Sequence, residues 1–207
     1  MAVTDSARAR RIGLLGGSFD PVHLAHLNLA RCATEQLHLD ELRWIPAGQP
    51  WQKQQAGRAV SPEAHRRAMV ELMLAGEPRF VLDARELQRA GPSYTINTVR
   101  ELAAEQPGAE LFLILGQDQY AGLASWHEWR ALLALVTLAV AGRAGQGPQP
   151  SAELQGQPHR AQFIAMPAST TSSTQVREQA SRGEDLRPMV GDAVAGYIAL
   201  HRLYSEQ

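Results

Sequence analysis

The sequence predicts a single doubly wound α/β domain, Rossmann-like, with a mainly parallel sheet and helices on both faces. Three observations predict it. Short apolar runs alternate with longer helical segments along the chain, which is typical of βαβ units. The run from Leu111 to Leu115 contains no polar residue, as expected for a central parallel strand covered on both faces. The length of 207 residues suits one domain with a substantial core.

The first half of the chain contains three predicted strands and three predicted helices. Ser61-Pro62-Glu63 is typical of a helix start, with Ser61 as N-cap, Pro62 in the first helical position and an acid in the first turn. Apolar runs, together with residues typical of helix starts and ends, predict where the strands and helices lie. We expect strands at 12–15, 41–45 and 80–83, and helices at 24–37, at 61–75 and from the end of segment 91–95 to 105.

The second half continues the alternation. The run from Ala131 fits either the end of a helix or the start of a strand, and Trp126, His127 and Trp129 are expected in a short irregular segment. Residues Gly142 to Arg160 are rich in glycine, proline and glutamine, which predicts a mobile surface excursion. We expect strands at 111–115, 135–140 and 162–166, and helices at 175–182 and 191–201.

Residues 1–11 are expected to form a flexible N-terminal leader, and residues 12–207 the folded domain. The leader is polar, and no apolar segment follows it that would make a secretory signal. The longest apolar run, Ala131 to Ala141, is shorter than the ~20 residues of a membrane-spanning helix. One cysteine, Cys32, cannot form a disulfide within the chain, which fits a reducing compartment. We therefore expect a cytoplasmic protein with no membrane partner.

The formal net charge of −1 argues against a broad electrostatic surface for nucleic acid. A small phosphate ligand needs only local charge, so such a ligand is compatible with this composition. The sequence does not fix the oligomeric state, and a homo-oligomer stays open.

The stretch from Ile12 to His26 carries the most specific pattern, IGLLGGSFDPVHLAH. Two adjacent glycines after a strand let the backbone approach a ligand closely. The helix that follows directs unpaired N–H groups and the positive end of its dipole at the turn, which suits a phosphate. In a helix beginning near Val22, His23 and His26 lie on one face. Imidazoles there can hydrogen-bond a phosphate as its charge builds.

This stretch is neither a P-loop nor a dinucleotide-binding fingerprint, because both glycine patterns are missing. It resembles the GG[ST]FDPxHxGH motif of the nucleotidyltransferase superfamily, which transfers a nucleotidyl group from a nucleoside triphosphate. There is one departure: Ala25 stands where the motif usually has glycine.

A second cluster reads SSTQVR, from Ser172 to Arg177. Taken alone, its hydroxyls are explained by helix capping. A cap needs only one hydroxyl, however, and an arginine one turn into the helix offers a planar fork of donors to phosphates. Beside the first motif, we interpret this cluster as a polyphosphate site.

Several further segments make the resemblance closer and extend it almost to the C-terminus. They are LDARELQRAGPSYTINTV, LGQD, SWHEW and the loop around Lys53. With these, the chain resembles the bacterial nicotinate-nucleotide adenylyltransferase family. The resemblance implies adenylyl transfer from ATP to nicotinate mononucleotide, giving deamido-NAD and pyrophosphate in NAD biosynthesis. It also implies Mg²⁺ bound with the ATP phosphates. Asp20 is the nearest candidate ligand, although its commoner role is to fix the turn.

The resemblance implies a role for each matching position. The catalytic residues are expected to be His23, His26 and Arg177. The ATP-binding residues are expected to be Gly16, Gly17, Ser18, Asp118, Ser173 and Thr174. The residues that bind nicotinate mononucleotide are expected to be Lys53, Tyr94, Thr95 and Trp126. No protein residue is expected to form a dedicated metal site.

Departures from the family pattern keep other functions open. Trp51 and Gln52 replace the usual Pro-His after Pro50, and His127 stands where tyrosine is common. A pantetheine-phosphate adenylyltransferase would share the first motif without needing the Tyr94 and Trp126 regions. A non-catalytic nucleotide sensor would bind nucleotide without releasing pyrophosphate. A class I tRNA-synthetase core uses a related His-x-x-His, but this chain lacks room for anticodon-reading domains.

Overall fold

The computed structural model of the chain describes residues 8–50, 59–142, 147–167 and 169–205. Within these ranges lies a six-stranded sheet in the order β3-β2-β1-β4-β5-β6, with every neighbouring pair parallel. The strands are β1 (Arg11–Gly17), β2 (Glu41–Pro46), β3 (Phe80–Leu82), β4 (Glu110–Gly116), β5 (Thr137–Gly142) and β6 (Arg160–Ala165). The predicted doubly wound parallel sheet is confirmed.

Helices connect the strands and cover the sheet on both faces. They are α1 (Leu24–Gln36), α2 (Glu63–Leu74), α3 (Arg85–Gln88), α4 (Thr95–Glu105), α5 (Gln117–Ala121), α6 (Trp129–Leu135), α7 (Ala152–Gln155), α8 (Ser173–Ser181) and α9 (Arg187–Leu200), with a 3₁₀ turn at Leu123–Ser125. None of the helices in these described segments is long and apolar enough to cross a membrane.

Strand β4 shows why its apolar run is unbroken. Phe112 and Ile114 belong to the core cluster on one face of the sheet, and Leu111, Leu113 and Leu115 belong to the cluster on the other face. Alternate side chains of a strand point to opposite faces. Because both faces are covered, every position of the run is buried.

The strand order reverses between β1 and β4. The chain winds outward from β1 through β2 to β3 on one side, and from β4 through β5 to β6 on the other. Open α/β sheets bind ligands beside the carboxyl ends of strands at such a reversal. The turn after Gly17 and the segment after Gly116 both lie there, on neighbouring strands.

Two local predictions were wrong, and a third segment contains a helix that was not predicted. Ser61 is not the cap of α2, because its N–H donates to the Asp20 carboxylate at 3.2 Å and Pro62 occupies the N-cap without a side-chain cap bond. Trp129 begins α6 rather than lying in an irregular segment. The described part of the predicted excursion, residues 147–160, does lie at the surface apart from Leu154, which is completely buried in the short helix α7 that Ser151 caps.

A further helical turn precedes the predicted last helix. The helical residues of α9 start at Arg187, and Gly191 interrupts them with a φ of 77°. This left-handed conformation is available to glycine without steric cost. The predicted start near Gly191 therefore coincides with the kink, after which the second helical segment of α9 runs to Leu200.

We predict that Leu102→Ala lowers the free energy of unfolding by about 2–5 kcal/mol, because Leu102 is fully buried in α4 and the substitution leaves a cavity. Leu200→Ala is the matched control. Leu200 is 77 % exposed at the end of α9, so its truncation changes stability by less than about 0.5 kcal/mol. Urea unfolding followed by circular dichroism measures both. Equal effects of the two substitutions would contradict this packing.

Candidate active site

The turn between β1 and α1 is shaped by a buried aromatic ring. Phe19 adopts a left-handed φ of 48° and is 1 % exposed, and its ring packs against His26 and Trp44. A Cβ at Gly17 would lie 3.1 Å from this ring, which is tighter than ordinary contact. The second glycine is therefore needed to accommodate Phe19 as well as to open the turn.

His23 and His26 lie together at the start of α1. Their rings are stacked with centroids 3.7 Å apart, and the His23 backbone N–H donates to Nδ1 of His26 at 3.2 Å. Burial lowers the pKa of His23 to about 4. At neutral pH its imidazole is therefore uncharged, and it can act on a phosphate as a hydrogen-bonding group rather than as a cation.

The second motif contacts the first directly. Ser173 Oγ donates to the Pro21 carbonyl at 2.9 Å, and Arg177 Nη1 donates to the Asp20 carbonyl at 2.7 Å. Arg177 Nη2 also donates to Thr174 Oγ1 at 3.2 Å. The structure thus joins the two predicted phosphate-binding segments, which are more than 150 residues apart in the chain.

The helix cap and the predicted binding residues are different side chains of this second motif. Ser172 caps α8 by accepting the Gln175 N–H, and the Gln175 side chain returns a bond to the Ser172 backbone. The cap therefore uses Ser172 alone. Ser173 and Thr174, the predicted binding residues, are one and two positions further along the helix.

Asp20 fixes the turn with both carboxylate oxygens. Oδ2 accepts the Ser61 N–H, and Oδ1 accepts the Tyr204 hydroxyl at 2.7 Å. Asp20 as a whole is 3 % exposed. Burial raises the pKa of Tyr204 far above its ordinary value, and the nearby Asp20 charge adds to the shift. Tyr204 thus stays a donor, and the C-terminal turn is tied to the first motif, a link that sequence reasoning missed.

Arg66 is the second residue that sequence reasoning missed. Its side chain is 0 % exposed, and it lies on α2 among core residues. Nε donates to the Ser61 carbonyl at 2.9 Å, and Nη1 donates to the carbonyls of Ser18 and Ala47 at 2.9 and 2.7 Å. Nη2 donates to the Gly48 carbonyl at 3.4 Å. One buried cation thus holds the loops that follow β1 and β2.

A cavity of about 190 Å³ opens at this edge of the sheet. The predicted glycine turn, residues 16–18, and the predicted mononucleotide residues Thr95 and Trp126 are among the residues that line it. Its apolar floor comes from β1, β2, β4 and α4. Polar residues that the sequence did not single out also line it, and they are Glu86, Ser93, Thr98 and Gln119.

Tyr94 does not line this cavity with Trp126. Its ring stacks on His127 instead, with centroids 4.2 Å apart and an interplanar angle of 24°. The stack joins the N-terminus of α4 to the turn before α6. Tyr94 and Trp126 are therefore brought to neighbouring elements, although only Trp126 faces the cavity.

Several predicted site residues do not line this cavity, namely Tyr94, Asp118 and the residues at the junction of the two motifs, His23, His26, Ser173, Thr174 and Arg177. Asp118 lies in the first turn of α5 just past β4, where it is exposed and does not line the cavity. Lys53, with Trp51 and Gln52, falls outside the described residues. In the part of the chain that the structure describes, no three His, Cys, Asp or Glu residues are grouped so that they could hold a metal ion.

The chain matches known proteins along nearly its whole length. The family model described as cytidylyltransferase-like matches residues 14–179. A probable nicotinate-nucleotide adenylyltransferase of Methylibium petroleiphilum is 50 % identical over 200 residues, which cover 95 % of this chain and 93 % of the relative. A protein of the same name from Albidiferax ferrireducens is 45 % identical, covering 94 % of this chain and 98 % of the relative.

Solved structures share the fold. The nicotinic acid mononucleotide adenylyltransferase of Plasmodium falciparum, in complex with NaAD, superposes with a TM-score of 0.76 at 17 % identity, covering 94 % of this chain and 97 % of that one. The fold, the two joined motifs and the identity to full-length relatives agree: the chain belongs to the nicotinate-nucleotide adenylyltransferase family, within the cytidylyltransferase-like proteins.

Proposed function

We propose that the protein transfers the adenylyl group of ATP to nicotinate mononucleotide, producing nicotinate adenine dinucleotide and pyrophosphate for NAD biosynthesis. One observation carries the proposal. Ser173 and Arg177 contact the turn at Pro21 and Asp20, directly before the His23–His26 pair. The glycine turn of the same motif lines a cavity together with Thr95 and Trp126. The names of the full-length relatives support the same reaction.

The ATP phosphates are assigned to the junction of the two motifs. The N-termini of α1 and α8 both lie there, so two helix dipoles favour an anion. The bonds of Arg177 to Asp20 and Thr174 use two of its five N–H donors and fix the direction of its guanidinium. Ser173 and Thr174 supply hydroxyls beside it. We assign Asp118 to the ribose and adenine.

The mononucleotide is assigned to the cavity. Thr95 is the first residue of α4, where N–H groups without helical partners suit the nicotinate carboxylate. Trp126 is half-buried on the cavity wall, and its flat face suits stacking on the pyridine ring. We assign Tyr94 to the same subsite through its backbone and Lys53 to the mononucleotide phosphate.

The chemical step is an in-line displacement. A 5′-phosphate oxygen of the mononucleotide forms a bond to the α-phosphorus of ATP, and the bond from that phosphorus to the bridging oxygen breaks as pyrophosphate leaves. The attacking oxygen is already anionic at neutral pH, so no base must remove a proton. The residues therefore act by positioning and by hydrogen-bonding the charge that develops, with His26 and uncharged His23 at the α-phosphate.

Mg²⁺ is proposed to bind with the ATP phosphates, where it would neutralise part of their charge. Both Asp20 oxygens already accept hydrogen bonds, from Ser61 and Tyr204. This carboxylate therefore fits the role of fixing the turn rather than that of a direct ligand. Phosphate oxygens and water are the ligands that suit the ion here.

Pyrophosphate release tests the proposal. With ATP and Mg²⁺, we expect release with nicotinate mononucleotide and much slower release with nicotinamide mononucleotide or phosphopantetheine, because the N-terminus of α4 favours a carboxylate. Release with phosphopantetheine alone would overturn the substrate assignment while keeping the phosphate sites. ATP binding without release for any acceptor would support a nucleotide sensor instead.

We predict that His26→Ala lowers kcat by roughly 10²-fold or more and leaves KM for ATP nearly unchanged, because a donor to a developing charge acts mainly in the transition state. His38→Asn is the control, since His38 is exposed beyond the end of α1 and asparagine tolerates its left-handed φ of 50°. Steady-state kinetics measures both variants. An unchanged kcat in His26→Ala would refute the role.

A further inference from the structure

Glu86 is a buried carboxyl group that the proposed mechanism does not use. It lies on α3, lines the cavity with Thr95 and Trp126, and is 7 % exposed. The proposed substrate carries a negative carboxylate and a negative phosphate. A carboxyl group in the wall of its cavity would repel both, so the presence of Glu86 there needs an explanation. Its contacts give one.

The Glu86 carboxyl accepts hydrogen bonds from its neighbours. Thr98 Oγ1 donates to Oε1 at 2.6 Å, and interaction with the Ser93 hydroxyl lowers the pKa of the same carboxyl group. Arg89 donates to Thr98 Oγ1 at 3.1 Å and adds a nearby positive charge. Burial raises the pKa of Glu86, and these donors and the arginine charge oppose that shift. The carboxyl is thus built into the cavity wall as an acceptor.

The Ser93 hydroxyl connects Glu86 to the loop after β2. Its oxygen accepts the N–H groups of Gly48 and Gln49 at 3.0 and 3.1 Å, and the Ser93 N–H donates to the Gln49 carbonyl at 3.0 Å. A hydroxyl has one proton and two acceptor sites. With both acceptor sites used by the loop, the proton is directed at Glu86.

We call the contacts from Glu86 through the Ser93 hydroxyl to Gly48 and Gln49 the relay. The loop after β2 packs tightly against Glu86 at this point. A Cβ at Gly48 would lie 2.2 Å from the Glu86 carbonyl oxygen, so only glycine fits between the two backbones. From the other side, Arg66 donates to the carbonyls of Ala47 and Gly48. Pro50, the next residue but one, lines the cavity.

We propose that Glu86 is a positioning residue for the mononucleotide. Through the Ser93 hydroxyl it holds the segment Gly48–Pro50 against the cavity wall that carries Thr95. The inference rests on the proposed function and extends it by naming what organises the acceptor subsite. The ATP side is held by different contacts, between Ser173 and Pro21 and between Arg177 and Asp20, so Glu86 acts on one substrate only.

Four variants test this relay. Glu86→Leu and Ser93→Ala are expected to raise KM for nicotinate mononucleotide roughly tenfold, because each removes a buried hydrogen bond, while KM for ATP and kcat change little. The double variant should be no worse than the poorer single variant, since both act through one chain of bonds. Glu86→Gln keeps an acceptor oxygen and should retain most of the wild-type affinity.

Glu105→Leu is the matched control, because Glu105 is an exposed carboxylate at the end of α4 that pairs with Arg85. It should leave both KM values unchanged. Calorimetric titration of nicotinate mononucleotide into each variant gives the affinity without turnover. Thermal unfolding identifies a variant that has merely lost stability, and Ser93→Ala, the smaller change, serves if Glu86→Leu does not fold.

Unchanged affinity in Ser93→Ala and Glu86→Leu, or equal increases in KM for ATP and the mononucleotide, would overturn the positioning role. Additive effects in the double variant would also overturn the relay. If the wild-type enzyme neither binds nor uses nicotinate mononucleotide, the proposed function itself fails and this inference fails with it. Normal wild-type turnover with unaffected variants refutes the inference alone.

Discussion

The buried guanidinium of Arg66 is the interaction on which the candidate site depends. Moving a charge out of water is costly unless its donors are used. The N–H groups of Arg66 donate to carbonyl groups of the loops after β1 and β2 and of the segment before its own helix. Carbonyls at the carboxyl edge of a parallel sheet have no strand partner beyond it, so one cation satisfies several of them and fixes the loops together.

The arrangement of the two segments that we propose to bind phosphate depends on these bonds. With Ser18 and Ser61 held by Arg66, the Asp20 carboxylate is in place to accept the Ser61 N–H and the Tyr204 hydroxyl. The Asp20 carbonyl then receives Arg177. The chain's own contacts order the turn before any ligand binds. Binding of the substrates therefore does not have to supply the free energy of ordering this turn.

Much of the fold and part of the site follow from local sequence. The alternation of apolar runs predicts the strand series, because the run of β4 has to be apolar on both faces. The glycine turn and the hydroxyls of Ser173 and Thr174 can be predicted as parts of a candidate site because close backbone approach and helix starts have local signatures. Trp129 is predicted in an irregular segment but begins α6, because the continuous apolar run after it shows neither helical nor strand periodicity.

The remaining parts depend on partners far away in the chain. Ser61 has the pattern of a cap, but its N–H bonds to Asp20, 41 residues earlier. Arg66 looks like an ordinary helical arginine, and only its place among apolar positions of α2 hints at burial. Glu86 shows no local signal, since its partners Ser93 and Thr98 reach it through a turn. Local patterns carry no information about such contacts.

Hydrogen exchange in the ligand-free enzyme tests the central claim, comparing wild type with Arg66→Met. The amides of Ala47, Gly48 and Ser61 are hydrogen-bonded to Gly17, Ser93 and Asp20. If Arg66 holds these loops, their exchange accelerates strongly in the variant while the amides of β4 keep their protection. Unchanged loop protection, or a uniform loss that includes β4, would contradict the account.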